Sequence, residues 1–187
     1  MGNRRKDFDA EIYNRILGSQ TPDVLFVSGG SSNQVANSGV SVRHTLANIL
    51  PTSKIIAVCD QDDKSEAEIA QFEASGDIVL SHRNLESFLF ADDVIEALVL
   101  REGKDELLGE ALKLKEESIA NSVQRGNPPD DLKSAAGNIY VGLKRLLGLQ
   151  RCGSNTDMFM RDTLAPLVEA PMPAYQALRA AIIERLQ

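Results

Sequence analysis

The sequence predicts an α/β fold, a parallel sheet covered by helices and followed by a helical C-terminal region. Three observations carry that expectation. Short apolar runs alternate with helix-length amphipathic stretches through the first half, each run ends in a small or acidic loop, and beyond residue 84 only helical periodicity remains. Alternation of this kind implies right-handed crossovers and parallel strands packed between helices. In such sheets the ligand site lies at the carboxyl ends of the strands.

The elements follow in order. Asp7 to Leu17 reads as an amphipathic helix, with Phe8, Ile12, Tyr13 and Ile16 on one face and charges between them. Gly18 and Pro22 end it. Val24 to Val27 is a continuous apolar run suited to a strand buried on both faces, and it opens into the glycine-rich turn Ser28-Gly29-Gly30-Ser31-Ser32-Asn33. A helix is expected from about Asn33 to Leu50, closed by Pro51. Ile55 to Cys59 is a second strand running into Asp60-Gln61-Asp62-Asp63, and Ser65 with Glu68 has capping-box spacing for a helix to Ala74. Ile78 to Leu80 is a third strand, with Ser81-His82-Arg83 at its end. Leu85 to Leu89, Asp92 to Leu100, Lys104 to Gln124, Leu132 to Leu147 and Ala174 to Leu186 favour helix, with breaks at Asn127-Pro128-Pro129-Asp130 and at Arg151 to Asn155.

Composition narrows the class. The chain has 187 residues, 43% of them hydrophobic, two cysteines and no tryptophan. This is enough for one domain with a real core, or one domain with a helical appendage. No apolar run approaches the roughly 18 residues of a membrane span. Cys59 and Cys152 form neither a CxxC pair nor a disulfide framework, so a reducing, cytoplasmic setting is expected. The net charge is −7, and residues 51–100 supply the excess with eleven acidic against three basic residues. Both a carboxylate-rich metal site and an exposed acidic helix are compatible with that concentration.

The acidic cluster at the second strand end is the sharpest candidate for chemistry. Carboxylates at Asp60 and Asp62 can converge on one hard cation, since Mg²⁺ is held by one or two carboxylates with water and phosphate oxygens completing its octahedron. Asp62 and Asp63 can equally favour the dipole of the following helix. Calcium-loop spacing is absent, because Gln71 and Ser65 stand where that loop needs Glu and Gly. A phosphatase using Asp60 as nucleophile is disfavoured by Lys64, which stands where the DxDxT pattern has threonine. The Ser28–Asn33 turn could cradle an anion or simply cap a helix; it matches neither the Walker A nor the dinucleotide fingerprint. Glu86, set among Leu85, Phe88 and Leu89, is positioned either to point back towards Asp60 or to serve as an ordinary first-turn glutamate. His44 and His82 have no partner at ligand spacing and read as structural.

The ordered set of apolar strand, Asp60-x-Asp62-Asp63, helix, strand and Arg83-Asn84-Leu85-Glu86-Ser87-Phe88-Leu89 resembles the Toprim domain of OLD-family (overcoming lysogenization defect) ATPase-associated nucleases. There a strand-end DxD is followed by R-x-x-E-x-[FY]-L. Asp9-Ala10-Glu11-Ile12-Tyr13 is similar to the family's first helix, and Val27 to Val35 to its second strand and turn. The resemblance covers residues 2–100, implying a Toprim-like core over 1–100 and a helical extension over 101–187. It also implies a metal-dependent DNA endonuclease module, with Asp60, Asp62 and Glu86 catalytic and Asp60, Asp62, Asp63 and Glu86 as ligands of Mg²⁺ or Mn²⁺.

DNA would be the substrate and an ABC-type ATPase domain or subunit the partner, in a phage-defence setting, with no membrane association and with room for a homo-oligomer. Family members begin with a strand ending in Glu-Gly. Here Gly2 falls at the glycine and Met1 at the glutamate, so the chain is expected to be a module starting one strand late, with cleavage low or absent until the strand and its glutamate are added. The alternative expectation is a catalytically inactive, Toprim-like protein-interaction module. The family chemistry also calls for a basic residue at the transition state, and Lys104, Lys113, Lys115, Lys133 and Lys144 are all open choices.

Overall fold

The computed structural model describes residues 8–28, 45, 48, 49 and 51–186. Two short parallel strands, β1 (Val58–Cys59) and β2 (Ile78–Val79), pair Val58 with Ile78 and Cys59 with Val79. The ladder is extended at both ends by main-chain bonds from Ile78 N–H to the Ala57 carbonyl at 2.8 Å and from Leu80 N–H to the Cys59 carbonyl at 3.0 Å. It begins later than the apolar run of residues 55–59 suggests. The Ala57 N–H is taken by a carboxylate oxygen of Asp77 at 2.8 Å rather than by a neighbouring strand.

Helices surround this pair. They are α1 (Phe8–Leu17), α2 (Glu66–Ala74), α3 (Glu86–Leu89), α4 (Asp92–Arg101), α5 (Leu108–Gln124), α6 (Leu132–Leu146), α7 (Thr156–Phe159) and α8 (Pro173–Ile182). The structure is therefore helix-rich, with a small parallel sheet. The capping box forms as expected: Ser65 accepts from the Glu68 N–H, and the Glu68 carboxylate accepts from the Ser65 N–H at 2.8 Å. Two expected long helices are modified at one end by tighter turns, Asp105–Leu107 before α5 and Ile183–Arg185 after α8.

One hydrophobic core runs from Phe8 to Ile183 and joins the two halves of the chain. Helix α1 buries Phe8, Ile12, Tyr13, Ile16 and Leu17, the face its periodicity defines. Leu85, Phe88, Leu89 and Phe90 continue the core into α4, and the Phe159 ring lies 5.1 Å from Tyr140 and 6.4 Å from Phe90. Each such side chain contributes roughly 1.5–3 kcal/mol on burial. Residues 101–186 thus pack directly against the α1 and strand region.

The 24–27 run behaves differently from its expectation as a strand buried on both faces. Among the described residues it joins no ladder; Val24 and Phe26 lean on the core while Leu25 and Val27 are exposed. Asn14 explains part of this. Its amide donates to the Phe26 carbonyl at 2.7 Å and its Oδ1 accepts from the Phe26 N–H at 3.0 Å, occupying both main-chain groups that a neighbouring strand would use. The segment 156–167 was not anticipated from periodicity. Asn155 caps α7 by accepting from the Met158 N–H at 2.9 Å, and the chain continues through a wide helical turn at Met160–Leu164 and a tight one at Ala165–Leu167. Met1, Gly2, the turn after Ser28, His44 and all but Thr45, Asn48 and Ile49 of the expected 33–50 helix lie outside the described residues. Among the described residues, no helix is long and apolar enough to cross a membrane, and both cysteines are buried and free.

Candidate active site

Asp60 follows β1 directly, so its position is set by the strand pair, and its side chain is only 16% exposed. Lys64 closes the loop behind it by donating to the Asp60 carbonyl at 2.6 Å. This gives the lysine at the DxDxT threonine position a local role in shaping the loop. Glu86, the first residue of α3, is 2% exposed and faces the same region. Its charge acts on the carboxyl of Asp60.

Electrostatics identify the members of this group. Burial pushes the Asp60 carboxyl up to about 7 from an ordinary 3.8; the charges of Asp9, Glu86 and Asp62 push the same way, and Lys133 opposes them. Lys133 Nζ lies 4.0 Å from Asp60 Oδ2. The buried Tyr13 hydroxyl is raised well above its ordinary value, by burial first and then by Asp60, Asp9 and Glu86. Burial likewise raises the Cys59 thiol at the end of β1. Asp60 is thus a carboxylate with several like charges around it and one lysine against it, the arrangement that shifts carboxyl groups upward at functional sites.

Asp62 and Asp63 take separate places. Asp62 has φ 43°, in the left-handed region that aspartate tolerates better than most residues, and its N–H donates to the Arg83 carbonyl at 2.8 Å. Asp63 is exposed and its carboxylate is bound by the Arg83 guanidinium. That bond is the first cause of the raised Arg83 pKa. His82 packs its ring 4.5 Å from Phe88, in keeping with a structural role.

Sequence reasoning missed Asp9 and Tyr13, and it could not choose Lys133 from five lysines. For the first two a signal existed, since residues four apart share a helix face and Asp9 stands one turn before the buried Tyr13. Lys133 had none, because its approach to Asp60 is a contact between the second turn-helix boundary of the C-terminal half and the first strand end. A cavity of about 280 Å³ opens beside this group, bounded by Glu86, Lys133, Ala136, Gly137, Thr156, Asp157 and Met160.

The donor chemistry fits a hydrated divalent cation better than an enclosed one. Among the described residues no three His, Cys, Asp or Glu side chains are gathered closely enough to enclose a metal ion by themselves. Mg²⁺ needs only one or two carboxylates when water and phosphate supply the rest, and the oxygen donors of Asp60 and Glu86 are of the type it takes. No family model, curated protein or solved structure matches this chain. The reading of the site rests on its own residues.

Proposed function

We propose that the chain is a metal-dependent DNA endonuclease module of Toprim type, acting at the Asp60–Glu86–Lys133 group. The observation that carries this reading is the buried Asp60 at the end of a parallel strand, with Lys133 Nζ 4.0 Å away and the charges of Asp9 and Glu86 acting on it. Neighbouring carboxylates favour a bound cation, and a cation with a nearby lysine is an arrangement that promotes phosphodiester hydrolysis. Asp60 and Glu86 would hold Mg²⁺ or Mn²⁺, with Asp62 adjacent in the same loop and Asp63 a lesser ligand. The chemistry supplied by a bound divalent ion is polarisation of the phosphodiester and activation of the attacking water.

The chain's own residues do the rest. Lys133, 44% exposed and reaching in from α6, stabilises the negative charge that grows on the phosphate. With its carboxyl pushed up to about 7, Asp60 is about half protonated at neutral pH, and a bound cation would favour its carboxylate form, so cation binding would be coupled to proton release. Tyr13 is buried and packs against Phe26, whose ring lies 5.2 Å away. The OLD-family resemblance adds an ABC-type ATPase as partner and phage defence as setting.

Plasmid cleavage in the presence of Mn²⁺ tests the reading. The wild-type chain is expected to nick or linearise plasmid, Asp60→Asn to be inactive and Lys133→Met to be strongly impaired. Equal activity in all three, or none in any, would sink it. Robust cleavage by the wild type would dispose of the inactive interaction module.

A further inference from the structure

Arg83 is the cation nearest in sequence to Glu86, and an arginine beside a phosphodiesterase centre would ordinarily be assigned to the phosphate. Its surroundings give it different work. The side chain is 12% exposed, its guanidinium is bound to Asp63 and lies 3.7 Å from Asp130, and its carbonyl accepts the Asp62 N–H at 2.8 Å. The next residue, Asn84, is completely buried. Its Nδ2 donates to Asp131 Oδ1 at 3.3 Å and its Oδ1 accepts from Ser87 Oγ at 3.1 Å. Asp131 is the cap of α6, accepting from the Ser134 N–H at 3.2 Å, and Lys133 is in the first turn that this cap sets.

Two adjacent residues therefore tie together three segments distant in sequence. These are the 60–63 loop that bears Asp60, the 86–87 turn that bears Glu86, and the 130–131 cap that aims Lys133. We propose that Arg83 and Asn84 are positioning residues that hold Lys133 in register with Asp60 and Glu86. This rests on the nuclease reading for its consequence in catalysis, but the tie itself is a property of the protein without substrate. Displacements of about 1 Å in a catalytic group cost on the order of 100-fold in rate, so such a tie has a measurable effect.

The test reverses the polarity of one bond. Asn84→Asp sets two carboxylates against each other and breaks the tie; combining it with Asp131→Asn restores one donor and one acceptor while keeping a residue type that caps helices. A zero-length carbodiimide joins the Lys133 amine to the Asp60 carboxylate with loss of water when the two are in contact, and peptide mass spectrometry reads the yield without metal or DNA. The wild type is expected to give the Lys133–Asp60 cross-link, Asn84→Asp to lose it several-fold, and the double variant to recover it. On plasmid DNA the single variant is expected to lose about tenfold in kcat with KM unchanged.

An undiminished cross-link in Asn84→Asp, or no recovery in the double variant, would overturn the proposal. If Asn84→Asp does not fold, Arg83→Lys serves, since an ammonium cannot span Asp63 and Asp130; its cross-link is expected to fall, and an unchanged yield would again overturn the proposal. Wild-type protein that cross-links normally and cleaves no DNA would refute the nuclease reading while leaving the cross-link series to decide the tie.

Discussion

Helix α1 separates two charge clusters that are built on opposite rules. On one side, Asp9 and the buried Tyr13 face Asp60 and Glu86, and the carboxyl of Asp60 is driven up to about 7. On the other, Glu11 and Arg15 meet Arg161 and Asp162 from the C-terminal half. Arg161 donates to Asp162 at 2.8 and 2.7 Å and to Glu11 at 3.2 Å, and Arg15 reaches Asp162 at 3.3 Å. Hydrogen bonding from Arg161 holds Asp162 below its ordinary value, and the same bond raises Arg161. The second cluster is complete in itself and fastens the two ends of the chain. In the first, among the described residues, several carboxylates act on Asp60 and Lys133 opposes them.

The largest expected effect from disturbing this contrast is on chemistry. Asp60→Asn is expected to abolish Mn²⁺-dependent plasmid cleavage. Lys133→Met is expected to lower it by roughly 10²–10³-fold, the range found when a single group that stabilises transition-state charge is removed. A gel assay at fixed Mn²⁺ measures both, and a Lys133→Met enzyme as fast as wild type would remove the lysine from the mechanism.

Stability should move in the opposite direction. A carboxyl whose folded value is raised from 3.8 to about 7 favours the native state fully below pH 3.8 and loses that contribution as pH climbs through 7. Above pH 7 the metal-free protein carries a cost on the order of 4 kcal/mol from this group. Asp60→Asn is accordingly expected to be more stable than wild type at pH 8 and to lose most of that advantage by pH 4, as followed by urea denaturation. An advantage independent of pH would point to packing instead.

A smaller loss is expected at Gly153, which has φ +85° and accepts the Tyr140 hydroxyl on its carbonyl at 3.0 Å. A Cβ there would stand 2.8 Å from the main chain of Met158 and Phe159. Gly153→Ala is expected to cost about 1–3 kcal/mol, readable as a lower melting temperature.

The least effect is expected in the balanced cluster. Arg161→Gln should cost no more than about 1 kcal/mol, because its partners are partly exposed. Asp162, held below 3.8, contributes stability above that pH and loses it as pH falls through its lowered value. The two clusters should thus respond to acid with opposite signs.

Much of this contrast was legible in the sequence, though unevenly. Helix α1, the Ser65–Glu68 cap and the place of Asp60 at a strand end follow from periodicity, local capping and the apolar run before it. The exposure of Leu25 and Val27 did not, because an apolar run cannot report that Asn14, a turn away in α1, has already taken the Phe26 main chain. Lys133 and the Arg83–Asn84 tie were hidden for a related reason. Their partners, Asp60, Asp130 and Asp131, are at least 47 residues away, and no local pattern encodes such a contact. The short turns of 156–167 carry too little periodicity to read at all.

The central claim is that the first cluster is arranged for a divalent cation, and titration of Mn²⁺ into metal-free wild type and Asp60→Asn, followed by calorimetry at pH 6 and pH 8, tests it most directly. Binding is expected in the wild type, tighter at pH 8 because Asp60 must first lose its proton, and absent in Asp60→Asn. Identical curves for the two proteins, with or without heat, would contradict it.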